Sequence, residues 1–276
     1  MYQILEKEVL NSVVTKMVIK APFVARKCKP GQFIILRVVM DGERIPLTIM
    51  DYDRAKKTVT IIFQVLGHTT GLLNRLNVGD CILDFVGPLG KSSKLEKKNK
   101  VLGIAGGVGA APLYSQLKYL AELGAEVDVI IGGRSEEFVI LENEFLRFSS
   151  NVYIATDDGS KGQKGFVTDI LKNLLDAGEK YDEVLAIGPL VMMRAVVEIT
   201  EPIGLPTAVS LNPIMIDGTG MCGGCRVNIG GETKFACVDG PDFDGFLVDF
   251  NEVISRQTYF KSQEAHICRL EGVKND

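Results

Sequence analysis

The chain has no surplus of positive charge. Lys and Arg together number 31 against 35 Asp and Glu, a formal net charge of −4, whereas a protein that grips nucleic acid presents a basic face. No nucleic-acid partner is expected. The opening residues, MYQILEKEVL, carry acidic groups where a secretion signal has a basic start and a long apolar run. A cytoplasmic location is the expectation. The most apolar glycine-rich stretch, VLGIAGGVGAAPL, is too short to span a bilayer, so it reads as a buried strand, turn and helix start, and no membrane partner is expected. Histidine is scarce, with two residues in all, and His266, in a tail of mixed aromatics and charges, is given no catalytic role. Internal repeats and low-complexity segments are absent.

What is present is an ordinary globular composition, 46% hydrophobic and 24% charged over 276 residues, long enough for two or three modules. Residues 1–95 carry short, β-branched, alternating runs (TKMVIKA, QFIILRVVM, KTVTIIFQV, CILDFVG) punctuated by Gly, Pro and Asp. That rhythm predicts an antiparallel barrel, interrupted by one short helix at TTGLLNRL. The lysine-rich KSSKLEKKNK, residues 91–100, reads as a solvated link. Over residues 96–210, five apolar strands alternate with helical segments, among them APLYSQLKYLAELG and ILENEFLRF. Alternation of this kind predicts a doubly wound parallel sheet, covered on both faces. A small cysteine-bearing module, 211–245, and a tail, 246–276, complete the chain.

The turn AGGVGAAP, Ala105 to Pro112, follows a strand and opens a helix, where backbone N–H groups meet an anionic phosphate. Gly106, Gly107 and Gly109 either let that backbone approach a ligand or serve tight strand-to-helix packing, and G-G-x-G departs from the usual G-x-G-x-x-G. Asp157, in TDDG, and Gly188, in GP, fall at carboxyl ends of later strands and are either ligand-edge or turn residues. In RIPLT, Arg44 is a phosphate contact or an exposed strand arginine, and Thr48 offers a hydrogen bond to a planar ring. In GHTTGLL, Gly67, Thr69 and Thr70 mark a helix start that holds a pyrophosphate or is merely N-capped by a threonine.

Three of six cysteines crowd into DGTGMCGGCRVNIGGETKFAC, residues 217–237. Cys28, Cys81 and Cys268 stand alone and read as buried, small apolar side chains. In a reducing compartment, clustered cysteines hold metal more often than they form disulfides. Asp217, Cys222, Cys225 and Cys237 give D-x4-C-x2-C-x11-C, the plant-type [2Fe-2S] spacing with aspartate in the first position. RVNIGGETKFA reads as a hairpin turning at Gly230–Gly231, which folds Cys237 back toward the others. Zinc and a disulfide remain rival readings, as does a role for Asp217 as a loop cap.

A barrel with R-x-P-L-T and G-x-T-T, followed by a parallel domain with G-G-x-G-x-A-P, resembles the ferredoxin–NADP reductase superfamily over about residues 1–210. The resemblance implies FAD along Arg44, Pro46, Leu47 and Thr48, with its phosphates near Gly67, Thr69 and Thr70. It implies the pyrophosphate of a nicotinamide cofactor at Gly106, Gly107 and Gly109, with Asp157 and Gly188 nearby. With SLNPIMIDGTGMCGGCRV added, the whole chain resembles the small subunits of NADH-dependent ferredoxin:NADP+ oxidoreductases, also described as sulfide dehydrogenase subunits. Dihydroorotate dehydrogenase electron-transfer subunits are similar but normally carry cysteine where this chain has Asp217. The likeness implies an oxidoreductase subunit passing electrons between NAD(H), FAD and a [2Fe-2S] cluster. Its partner would be a large subunit holding a second FAD, [4Fe-4S] clusters and the NADP(H) and ferredoxin sites of electron bifurcation. Service to dihydroorotate dehydrogenase or another dehydrogenase, and a zinc-stabilised binding module, are the alternatives. Arg134 and Ser135 stand where a 2′-phosphate would be read, so NAD against NADP stays open, although the resemblance implies NAD(H). The tail, 246–276, is either a partner contact or packed on its own domain.

Overall fold

The computed structural model describes residues 2–259 and His266. The first module holds strands β1 (Tyr2–Val9), β2 (Val14–Lys20), β3 (Phe33–Arg37), β4 (Arg44–Asp53), β5 (Thr58–Gln64), β6 (Cys81–Ile82) and β7 (Asp84–Leu89), with helices α1 (Pro22–Lys27) and α2 (Gly67–Arg75). All pair antiparallel, in the order β6-β1-β2-β5-β4-β3-β7. Only Leu83 separates the two edge strands, so the sheet curls round on itself as an antiparallel barrel. Period-two alternation drives this: Met17 and Ile19 of β2 and Val59, Ile61 and Phe63 of β5 are buried, whereas Lys16 and Lys20 face outward.

The second module alternates β8 (Lys100–Gly106), α3 (Ala110–Glu122), β9 (Glu126–Gly133), α4 (Glu142–Phe145), β10 (Asn151–Thr156), β11 (Gln163–Lys164), α5 (Val167–Asp176), β12 (Glu183–Ile187), α6 (Leu190–Thr200) and β13 (Thr207–Ser210). The strands are parallel in the order β11-β10-β9-β8-β12-β13. Chain direction along the sheet reverses between β8 and β12, which leaves a crevice at their carboxyl ends. One face is covered by α3 and the other by α5 and α6, as the doubly wound pattern predicts. Burial of Val14, Met50 and Ile62 in the same cluster as α3 docks the barrel onto this module.

Beyond β13 come β14 (Arg226–Ile229), β15 (Glu232–Phe235), α7 (Ala236–Asp239), β16 (Asp242–Asp244) and α8 (Phe250–Arg256). β16 returns to the parallel sheet and pairs antiparallel with β13. Phe250 and Val253 of α8 are buried in the cluster that α5 and α6 cover, so the first part of the tail packs on its own domain. Residues 260–265 and 267–276, Cys268 among them, lie outside the described residues.

Three expectations change. ILENEFLRF forms only the short helix α4, because Leu141 takes a left-handed backbone at φ 63° and Phe145 and Phe148 pack edge-on against Tyr114. The lysine-rich link is less solvated than its composition suggests: Lys91 pairs with Asp239, Lys98 with Glu183, and Lys100 begins β8 within a cluster of acids. Cys28 is buried, and burial pushes its thiol up to about 11, but Cys81 on the narrow strand β6 is only half-buried. Among the described residues, no helix is long and apolar enough to cross a membrane.

Candidate functional site

At the crevice between β8 and β12, three glycines serve different ends. A Cβ built on Gly109 would lie 2.2 Å from the Ile187 carbonyl oxygen, and one on Gly106 would lie 2.7 Å from both the Met192 sulfur and Pro189 Cδ. A Cβ on Gly188 would lie 2.9 Å from the Gly106 nitrogen. Gly106, Gly109 and Gly188 therefore pack closely at the strand ends, as the tight-packing reading expects of Gly106 and Gly109. Gly107 differs: its φ is +53° and nothing lies within 4 Å of its missing Cβ. That open, left-handed residue begins a single 3-10 turn, Gly107–Gly109, that runs straight into the thirteen-residue α3: the Ala110 N–H is taken by the Gly107 and Val108 carbonyls, and no side chain caps the turn, so its own leading N–H groups face the crevice mouth where an anion would sit.

Asp157 follows β10, two strands away from β8, and its N–H donates to the Gly133 carbonyl at 3.1 Å. Next to it, Asp158 accepts from the Ser160 hydroxyl and N–H at 2.7 and 2.9 Å. These bonds, the hydroxyl's first, hold its carboxyl below the usual range. The Asp158 N–H donates to the Arg134 carbonyl at 3.3 Å, so the acidic loop closes over the loop after β9.

On the barrel, Arg44 is exposed at the start of β4, while Pro46, Leu47 and Thr48 are half-buried and register against Ile35, Ile34 and Phe33 of β3. Gly67 opens α2 with φ +77°. Leu66, not a threonine, occupies the N-cap. Thr70 works from inside the helix, accepting the Leu66 N–H at 2.7 Å and donating to the Leu66 carbonyl at 2.5 Å. Thr69 is turned inward and donates to Glu43 at 3.1 Å. Glu43 and Met192 belong to these surroundings but carry no motif; only folding places them here.

The cysteine loop is built on left-handed glycines, with φ of +74°, +83° and +68° at Gly218, Gly220 and Gly223. The predicted hairpin is present, β14 pairing with β15 across Gly230–Gly231, and the Ala236 N–H donates to the Cys225 carbonyl at 3.0 Å. This fold-back sets Cys237 against Cys225, whose sulfur accepts the Cys237 N–H at 3.4 Å. Both are buried beside Phe33 and Ile35 of the barrel. Burial, then the neighbouring Cys225, pushes the Cys237 thiol up to about 12. Cys222 is exposed. Asp217 caps the loop: Oδ1 accepts the Thr219 N–H at 2.9 Å and Oδ2 the Cys222 N–H at 3.0 Å, which lowers its carboxyl below the usual range.

Among the described residues, no three His, Cys, Asp or Glu side chains converge as a metal site. The donor set nevertheless fits an iron–sulfur group. Two buried thiols lie side by side, and the pocket disfavours the Cys237 thiolate until a cation replaces its proton, while a third thiol sits three residues before Cys225 on a glycine turn. All five described cysteines are free. A separate polar cavity of about 670 Å³, lined by Lys16, Asp51, Lys118 and Arg147 among others, includes none of the residues expected to hold a cofactor.

Residues 104–198 match the family described as the oxidoreductase NAD-binding domain, and residues 212–249 the iron-sulfur cluster binding domain of dihydroorotate dehydrogenase B. A chain in the structure of an NADH-dependent reduced ferredoxin-NADP oxidoreductase, described in connection with flavin-based electron bifurcation, superposes with a TM-score of 0.92 and 40% identity. The match covers 98% of this chain and 97% of that one. The Thermotoga maritima homologue of the dihydroorotate dehydrogenase B electron transfer subunit is 44% identical over 89% of this chain and 86% of its own length. The corresponding subunit from Fusobacterium nucleatum is 34% identical, over 82% of this chain and 89% of its own.

Proposed function

The chain belongs to the family of dihydroorotate dehydrogenase B electron transfer subunits and their homologues, and from that premise we propose that it is the NAD(H)-facing subunit of an electron-bifurcating NADH-dependent ferredoxin:NADP+ oxidoreductase. The observation that carries this reading is the end-to-end likeness to the bifurcating oxidoreductase chain, 98% of one against 97% of the other at a TM-score of 0.92. The aspartate at the first position of the cysteine loop supports it further.

Arg44, Pro46, Leu47 and Thr48 would bind FAD along β4, with Gly67, Thr69 and Thr70 placing the start of α2 near its phosphates. Gly107 supplies the open turn for the dinucleotide pyrophosphate, while Gly106, Gly109 and Gly188 bring the strand ends close enough for the crevice to form. Asp157 lies on the same edge. Cys222, Cys225 and Cys237 would hold a [2Fe-2S] cluster, with Asp217 as fourth ligand once its carboxylate leaves the Thr219 and Cys222 N–H groups. Bound flavin and cluster supply two-electron and one-electron chemistry; the residues of this chain bind, orient and exclude water. The partner is a larger subunit with the second FAD, [4Fe-4S] clusters and the NADP(H) and ferredoxin sites, which this chain's cysteines cannot provide.

Anaerobic purification from the native host, with flavin and iron assayed in the product, tests this. Stoichiometric FAD and iron, flavin reduction by NADH in preference to NADPH, and a co-purifying cysteine-rich subunit with dinucleotide folds are expected. A co-purifying FMN barrel enzyme would instead favour the dihydroorotate dehydrogenase reading, which the 44% and 34% identities support. Colourless protein with zinc would refute both.

A further inference from the structure

We propose that Arg256 is a positioning residue for the iron–sulfur site: its guanidinium fixes the turn between Cys222 and Cys225 and raises the reduction potential of the cluster there. The inference rests on the cluster reading above. Between the two cysteines lie Gly223 and Gly224, which contribute no side chain, so the turn is anchored through its backbone groups, its carbonyls among them. The Gly224 carbonyl accepts from Arg256 Nη2 at 3.2 Å, across 32 residues of sequence. The preceding carbonyl, of Gly223, accepts the Arg226 backbone N–H at 3.4 Å and faces Arg226 Nη1 at 3.5 Å, the outer limit of a hydrogen bond. Two guanidinium groups thus address consecutive carbonyls of one C-x2-C turn.

They are not equivalent. Arg226 is exposed, so water and salt screen its charge. Arg256 is half-buried, lies 5.5 Å from the centre of the Tyr259 ring, and ends a helix held by the burial of Phe250 and Val253 and by the Asp249 side chain accepting the Glu252 N–H at 3.0 Å. A guanidinium keeps its positive charge at any working pH. Three thiolates and a carboxylate leave a [2Fe-2S] site net negative, and reduction adds one more negative charge. A fixed neighbouring cation stabilises the reduced form more than the oxidised form and so moves the potential upward. The hydrogen bond adds geometry to charge: with Gly224 held, Cys222 and Cys225 keep a fixed spacing although Cys222 sits at the surface.

The full-length chain, reconstituted anaerobically with iron and sulfide, is assayed for both elements and titrated redox-potentiometrically with EPR detection. With wild-type iron content, Arg256→Gln should show a lower midpoint potential, Arg256→Lys a value between Gln and wild type, and Arg226→Gln a smaller shift than Arg256→Gln. A fully loaded Arg256→Gln protein at the wild-type potential overturns the inference. If Arg256→Gln loses iron, Arg256→Lys decides: iron and potential both recovered support the charge and anchor, whereas iron lost in both variants overturns it and leaves a packing role. Wild-type chain that takes up no iron fails the cluster reading itself, and this inference with it, an outcome recognised from iron content before any potential is measured.

Discussion

Two carboxyl groups are enclosed in the parallel sheet, Asp128 on β9 and Asp242 on β16 at the edge, and their surroundings are opposite. Asp128 has company of every kind: Lys100 Nζ at 3.2 Å, the Tyr181 hydroxyl at 3.0 Å and the Asn151 amide at 2.8 Å. Lys100 also reaches Glu179 at 2.8 Å and Glu126 at 2.9 Å, and these partners, Glu179 first, hold its ammonium well above its usual range. Asp242 has only neutral partners, the Ser93 hydroxyl and the Gln116 amide, the latter at 3.1 Å, and its Oδ1 is buried with no partner at all. Although the residue as a whole is half-buried, its carboxyl is enclosed, and burial raises it above the ordinary aspartate value, with the Ser93 and Gln116 bonds offsetting part of the effect. The contrast teaches that a buried carboxyl serves as an ion-pair anchor when a cation stands beside it, and otherwise as a neutral clasp. Asp242 clasps the interdomain link through Ser93 and the dinucleotide-side helix α3 through Gln116.

Removing the cation should have the largest effect. Lys100→Met strands the buried Asp128 carboxyl without its ion-pair partner, and a loss of about 3–5 kcal/mol in denaturant-measured stability is expected. A double variant, Lys100→Met with Asp128→Leu, should recover most of that loss, because an apolar pair no longer strands a charge. A double variant no more stable than the single one would show that packing, not charge, governs this end of the sheet.

Asp242→Asn should have the smallest effect, less than about 1 kcal/mol at neutral pH. Its signature is in the pH dependence. A carboxyl whose folded value is raised contributes stability that is full below about pH 3.9, the unfolded value, and lost as pH rises through the folded one. Asparagine never ionises, so the variant's Tm should gain on wild type as pH rises above about 3.9. Parallel Tm curves above that pH would overturn the neutral-clasp reading of Asp242.

Much of the candidate site was legible in the chain. Alternation gave the barrel strands, the change of rhythm after residue 96 gave the parallel sheet, and Gly230–Gly231 gave the hairpin that folds Cys237 onto Cys225. These are local signals, read over a few residues. The extent of α4 was not legible, because Leu141 leaves the helical region to let two phenylalanines reach Tyr114. The threonines after Gly67 looked like caps, yet the helix begins earlier and Thr69 turns to Glu43. Nothing in the sequence separates Gly107 from Gly106 and Gly109, since their difference lies in what faces each missing side chain.

The sequence by itself determined which residues can carry chemistry: a glycine turn at a strand end, and an aspartate with three cysteines at cluster spacing. Those follow from residue type and interval, which the covalent chain holds fixed. Only the tertiary structure decided which groups meet, including Arg256 with the Gly224 carbonyl, Gln116 and Ser93 with Asp242, and Lys100 with Asp128. Each pair is joined across a long stretch of chain by the packing of separate elements, and the burial that sets their charges exists only once those elements have closed together.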